Sequence, residues 1–216
     1  MTDEKTLAMT FWSFMLKLYC FPRSGNSREV KIVLAEKNIP FQPIDIHANK
    51  EAKETPEFKK ASPKGTVPAI IDGDVYLSEA LLINQYLDDK YLEPALMPKD
   101  EKKKEEIQQF ISVIDKKLVL NIGLLVIECI LKPKAEQRED FKEKKRAELL
   151  EGMQELDRRL EGLEYLFGNY SLADVAVTPH IAALPILGSG IPAELKNMTA
   201  WFKRIQARPS FKQSLN

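Results

Sequence analysis

The chain has 216 residues, 44% apolar and 30% charged, enough for one large or two small domains with packed cores. Its formal charge of zero gives no support to nucleic-acid or anionic-membrane binding, and no apolar run approaches the roughly 20 residues of a membrane helix. Two distant cysteines, Cys20 and Cys129, make neither a disulfide framework nor a zinc site and point to a reducing, cytoplasmic compartment.

Residues 1–14 are read as an N-terminal tail. Leu7 to Leu18 is mostly apolar, but Asp3 and Glu4 precede it and no small-residue cleavage site follows, so it is a poor signal peptide. Leu16 to Cys20 alternates and reads as a strand. Pro22, Gly25 and Asn26 break it. A helix follows, with Asn26 as N-cap and Glu29 three residues on as its capping-box partner. Val30, Val33 and Leu34 form its apolar face, and Asn38-Ile39-Pro40 ends it. Phe41 to Ile46 is a second strand, His47 to Thr55 a polar loop, and Pro56 to Ala61 a short helix.

Pro68 to Ile71 and Val75 to Leu77, joined by Asp72-Gly73-Asp74, read as a hairpin. Ser78 is expected to cap the next helix, which carries Leu82, Ile83, Tyr86 and Leu87. The result is an α/β domain over residues 15–92 with a mixed four-stranded sheet. Pro94 and Pro98 bracket a linker over 93–102, and an all-helical domain fills 103–216. Its first helix runs from the charged stretch at Asp100 to about Leu131, with Ile107, Phe110, Ile111 and Ile114 at helical spacing, and Lys132-Pro133 stops it. A second helical pattern spans about Glu139 to Gly162. Ser171 and Asp174 form a capping box before the apolar run Val175 to Leu187, with Tyr170 and Val175 placed as a hydrophobic staple.

Three segments in this order resemble the cytosolic glutathione transferases: Leu18–Val30 (LYCFPRSGNSREV), Ser62–Ile70 (SPKGTVPAI) with Leu77–Leu87 (LSEALLINQYL), and Tyr170–Val175 (YSLADV) with Trp201–Pro209 (WFKRIQARP). The resemblance implies a thioredoxin-like first domain along which glutathione lies, an electrophile held between the two domains, and a homodimer. It implies a cis Val67-Pro68 bond, so that Val67 offers its backbone N–H and C=O to the tripeptide as a short added strand. Glu79 falls where the family contacts the γ-glutamyl amino group. Ala80 replaces the usual serine, keeping the backbone N–H but losing a side-chain hydrogen bond. Thr66 stands where a longer polar residue often reaches glutathione. His47, with Lys50 or Lys64, is placed toward the glycyl end.

Ser24 aligns with the activating residue of Ser- and Cys-type members. A free thiol with pKa near about 8.5 is only a few per cent thiolate at neutral pH, and a donated hydroxyl hydrogen bond stabilises the anion. Cys20 and Asn26 remain rivals for this role. Tyr19, His180 and Cys129 read as packing residues, and two isolated histidines make no metal site. The implied activity is conjugation of the glutathione thiolate, as co-substrate, to a hydrophobic electrophile in detoxification. The alternative is a binding or regulatory protein of the same fold without turnover. The Ser24 position argues against a thiol-disulfide reductase, which wants a cysteine there.

Overall fold

A computed structural model describes residues 15–215, so the expected tail over 1–14 lies outside the described residues. The chain forms two compact units. One runs to Pro94 and takes back the C-terminal segment from Pro209; the other is Ala95–Arg208.

The first unit is built on strands β1 (Leu16–Cys20), β2 (Phe41–Asp45), β3 (Ala69–Asp72) and β4 (Val75–Ser78), in the order β2-β1-β3-β4. β1 pairs parallel with β2, Leu16 opposite Phe41, while β1–β3 and β3–β4 are antiparallel. This is the mixed four-stranded, thioredoxin-like sheet expected from the sequence. Side chains alternate across it. Tyr19, Ala69 and Ile71 join Phe58 and Ala61 of α2 (Pro56–Ala61) in one cluster, with the Tyr19 and Phe58 rings 5.0 Å apart. Helix α1 (Gly25–Glu36) packs on α3 (Ala80–Lys90) and buries Val30, Ile32, Val33 and Leu34 completely.

The Lys37 side chain, with no exposed surface, ties the end of α1 to Asp88 at 2.7 Å and donates to the carbonyls of Tyr91 and Pro94. Glu93-Pro94, like Val67-Pro68, is a cis bond. The C-terminal helix α9 (Pro209–Gln213) also packs on α1, where Arg28 meets Ser214 at 3.4 Å and the Phe211 ring at 5.4 Å. The helical domain expected over 103–216 includes this segment, whereas the structure groups it with the first unit. Pro209 interrupts the preceding helix and frees the last turn to dock elsewhere.

The second unit is helical. Asp100 caps α4 (Glu101–Ile114), accepting from the Lys103 N–H at 2.9 Å. The helix runs on through a π-helical turn (Asp115–Val119), α5 (Leu120–Val126) and a second π-helical turn (Ile127–Leu131). The buried positions Ile107, Ile111, Ile114, Leu118, Ile122 and Leu125 keep one face inward. Residues Leu96 and Met97 of the expected linker are buried, so this stretch is packed structure.

Helix α6 (Glu139–Arg159) stops three residues short of the sequence expectation. α7 (Leu172–Ala182) gives way to a 3-10 turn over Leu184–Leu187, closed by Gly188 at φ 65°. α8 (Lys196–Ala207) buries Met198, Trp201 and Ile205. Tyr170 stacks edge-on against Tyr165, their rings 5.4 Å apart.

The capping box of α7 is the centre of this unit. Asp174, fully buried, accepts from the N–H groups of Leu166 and Ser171 (both 3.0 Å), the Ser171 hydroxyl (3.2 Å) and the Trp201 indole (2.9 Å). Burial pushes its carboxyl up, and the four donors oppose that shift. Asp174→Ala would strand two amides and an indole N–H, each costing about 1–3 kcal/mol. We expect a loss of about 3–6 kcal/mol in urea unfolding, with Asp174→Asn costing less because it keeps an acceptor.

Glu128, at the end of the long helix, accepts from the Arg138 backbone (2.7 Å) and side chain and from Lys132 (2.8 Å). These donors hold its carboxyl down at about 2, against an ordinary 4.5. A depressed folded-state value stabilises above the unfolded value and is lost as pH falls. Unfolding free energy should therefore drop between pH 4.5 and about 2, and Glu128→Gln should flatten that part of a urea-titrated pH profile.

Candidate functional site

Most of the expected site residues of the first unit lie on three short connections. The first joins β1 to α1. Phe21 to Ser24 turn back on themselves, with the Ser24 N–H donating to the Phe21 carbonyl at 2.9 Å. Ser24, at φ −78° and ψ 120°, is the N-cap of α1, and its Oγ accepts from the Ser27 N–H at 3.2 Å. This corrects the expected cap. Asn26 is already inside the first helical turn, exposed to solvent, and Glu29 is buried on the packed face. The true pattern is a serine with a second serine three residues on. Ser27 is fully buried, and its own Oγ accepts from the Phe21 N–H at 3.3 Å. The turn is thus braced from both ends.

Ser24 Oγ has spent a lone pair on the Ser27 amide, so its O–H proton remains available for donation. It stands at the positive end of a 12-residue helix. Cys20 is different. It is 2% exposed at the end of β1, and burial pushes its thiol up, away from the thiolate needed for chemistry.

The second connection carries Thr66-Val67-Pro68. Buried Ser62 shapes it, donating its hydroxyl to the Thr66 carbonyl (2.7 Å) and accepting from the Thr66 N–H (2.9 Å). Gly65 turns the chain at φ 68°. Val67 follows, cis to Pro68, ahead of the strand ladder that begins at Ala69.

The third connection is a single residue. β4 ends at Ser78, paired with Ala69, and α3 begins at Ala80. Ser78, the cap expected from the sequence, therefore belongs to the strand and does not cap the helix. Glu79 is the N-cap, at φ 75°, and makes no side-chain capping bond. A non-glycine residue held there costs about 1–3 kcal/mol, since the chain must pass from strand to helix in one step. The carboxylate is left outward, 3.3 Å from Lys64. Ala80 is buried, and its N–H is one of the first-turn donors without a helical partner.

His47 is exposed, its N–H bound to Asp45 Oδ1 at 2.8 Å and its ring 5.2 Å from that of Phe21. Phe21, His47 and Val67 line one open cavity of about 390 Å³ with Ile46, Lys50 and Lys53. Glu54 also lines it, but Lys59 pairs with that carboxylate at 2.8 Å. Phe21 and Lys53 were not among the expected site residues. Lys53 belongs to a 3-10 turn, Lys50–Glu54, where the sequence reads as a loop. Asn49, accepting from the Ala52 N–H at 3.2 Å, was the available signal. Among the described residues, no group of three acidic, histidine or cysteine side chains is placed to hold a metal.

With this geometry, a sheet unit bearing a cis-proline loop followed by an all-helical unit defines the class of the two-unit glutathione transferases. The glutathione S-transferase N-terminal domain model matches residues 18–95, and the C-terminal domain model matches 87–209. The chain belongs to the glutathione S-transferase family. It is 39% identical over 104 residues to glutathione S-transferase Z2 of Arabidopsis thaliana, covering 48% of this chain and 47% of that one. With such zeta-type relatives it spans about half their length. It is 28% identical to glutathione S-transferase 3 of Zea mays over 93% of each chain. A Burkholderia graminis glutathione transferase, solved with two glutathione molecules bound per subunit, superposes with TM-score 0.82 at 26% identity, over 100% of this chain and 95% of that one.

The cysteines give a direct check on the site. In the native protein, Ellman's reagent should modify the half-buried Cys129 and leave Cys20 until urea is added. Equal native rates would return Cys20 to the catalytic candidates.

Proposed function

We propose that the protein is a glutathione transferase that joins the glutathione thiolate to the electrophilic carbon of a hydrophobic small molecule. The observation that carries this is the N-cap geometry of Ser24: an oxygen fixed by the Ser27 amide, with its proton free, at the head of α1. In this reading Ser24 donates to the sulfur. Lowering a thiol by two units takes about 2.7 kcal/mol. A hydrogen bond to a charged group supplies about 1.5–3 kcal/mol, and a helix N-terminus adds about 0.3–1.

Val67 and Pro68 present the backbone that the cysteinyl residue of glutathione lies along. Glu79 and the Ala80 N–H take the γ-glutamyl end. His47, with Lys50 and Lys53 around the open cavity, takes the glycyl carboxylate. Thr66 is held by Ser62 and contributes backbone. In this reading Asn26, exposed in the first turn of α1, assists at the sulfur. Family membership and two free cysteines support extending the proposal to a cytoplasmic, detoxifying homodimer.

A second reading, a glutathione-binding or regulatory protein without turnover, is favoured by Ala80. The missing side-chain hydrogen bond there removes about 0.5–1.5 kcal/mol of affinity.

Calorimetric titration with glutathione, followed by turnover of 1-chloro-2,4-dinitrobenzene, separates the two. We expect binding, turnover, and a kcat/KM at pH 6.5 that falls about 10–100-fold in Ser24→Gly, converging with wild type at high pH as the thiol ionises unaided. Glycine costs the cap only a few tenths of a kcal/mol, so folding is kept. Absence of binding at millimolar glutathione sinks the transferase reading. Binding without turnover selects the second, and an unchanged Ser24→Gly pH profile removes Ser24 from catalysis.

A further inference from the structure

Helix α1 carries Ser24 at its head, but the apolar core does not hold its opening turn. Gly25, Asn26, Ser27 and Arg28 include no apolar side chain, and the buried apolar positions of the helix start at Val30. Gly25 opens the helix with the residue that, after proline, favours it least. Arg28 ties this turn to a segment 186 residues further along the chain. Its guanidinium lies 5.4 Å from the Phe211 ring centre, and one terminal nitrogen donates to Ser214 Oγ at 3.4 Å. Ser214 can accept because its own proton goes to the Phe211 carbonyl at 2.7 Å. The Arg28 Nε is buried with no acceptor among the described residues. Without that bond, the guanidinium depends on the ring and the hydroxyl for its placement.

Phe211 and Ser214 are themselves buried. The segment that carries them is also pinned at the far end of α1, where the Ser210 hydroxyl donates to the Glu36 carboxylate. It therefore lies along α1 and touches both ends of the helix. At the near end the consequence is local. The Arg28 N–H donates to the Ser24 carbonyl at 3.0 Å, and the neighbouring Ser27 N–H donates to Ser24 Oγ at 3.2 Å. A drift of Arg28 loosens both bonds that hold Ser24.

We propose that the segment from Pro209 positions the thiol-activating turn: Phe211 and Ser214, acting through Arg28, keep the Ser24 oxygen aimed at the sulfur of bound glutathione. This rests on the transferase reading and adds to it three positioning residues that do not touch the sulfur.

The test uses the full chain with Phe211→Leu/Ser214→Ala, which keeps an apolar side chain in the buried position and removes the ring and the hydroxyl that Arg28 uses. Two quantities are followed: the ultraviolet absorbance of the thiolate of saturating glutathione across pH, and hydrogen exchange of the Ser27 amide without ligand. The pH midpoint should rise by about half to one unit, roughly a three- to tenfold smaller thiolate-to-thiol ratio at a given pH. Ser27 exchange should speed up about tenfold or more. Ser210→Ala, which releases the Glu36 end, should lower the urea midpoint and leave the pH midpoint in place. A cooperative urea transition verifies that each variant is folded; if the double variant is not, Ser214→Ala alone must move both quantities in the same direction. An unchanged pH midpoint or an unchanged Ser27 exchange rate in the folded variant overturns the proposal and leaves the transferase reading standing. An equal pH shift in Ser210→Ala also overturns it, since the effect would then be general loosening of the helix. A wild type that binds no glutathione, or whose bound glutathione ionises like the free thiol, removes the transferase reading and this proposal with it.

Discussion

Thiol chemistry at the proposed site depends on one hydrogen bond, from the Ser27 N–H to Ser24 Oγ. An unconstrained serine hydroxyl samples several rotamers and donates to water. Here the helix needs an acceptor for its orphaned first-turn amide, and the same bond fixes the oxygen's position. Folding and chemistry therefore share one atom without competing for it, since the amide uses a lone pair and the thiolate would use the proton. Ser27 reinforces this by holding the Phe21 N–H from below, so the turn that aims Ser24 is set by buried contacts.

The rest of the proposed glutathione surface is made mostly of backbone. Ser62 holds both backbone polar groups of Thr66. Glu79 occupies a conformation that non-glycine residues avoid, because β4 and α3 leave it no other route. Side-chain identity matters less where the backbone supplies the donors. In the proposed site, Ala80 therefore offers one contact fewer than a serine would while leaving the helix N-terminus in place.

Much of this was legible in the sequence, and the failures have physical causes. β1 and α2 were read to the residue because their apolar positions alternate or cluster between strong breakers. The cap of α1 was not, because Ser24–Ser27 and Asn26–Glu29 both fit a capping spacing, and the tie is broken by which side chains the core accepts. Glu29 went inward to the packed face. Ser78 failed as a cap for a related reason: β4 pairing with Ala69 claims it. The 3-10 turn at Lys50–Glu54 lacks an apolar period and so left no hydrophobic signal. The pairing of the C-terminal helix with α1 is a long-range choice that no local pattern encodes.

In the proposed function, affinity and reactivity rest on different residues. The γ-glutamyl end, with Ala80, bears on how tightly glutathione is held; the deficit of about 0.5–1.5 kcal/mol there corresponds to at most about a tenfold weaker complex. In the same proposal the sulfur is governed by Ser24, the N-cap of α1, and by the helix end. A weak dissociation constant for glutathione is thus compatible with a strongly ionised bound thiol. The quantity that reports on the proposed chemistry is the pH midpoint of the bound thiol, and not the affinity.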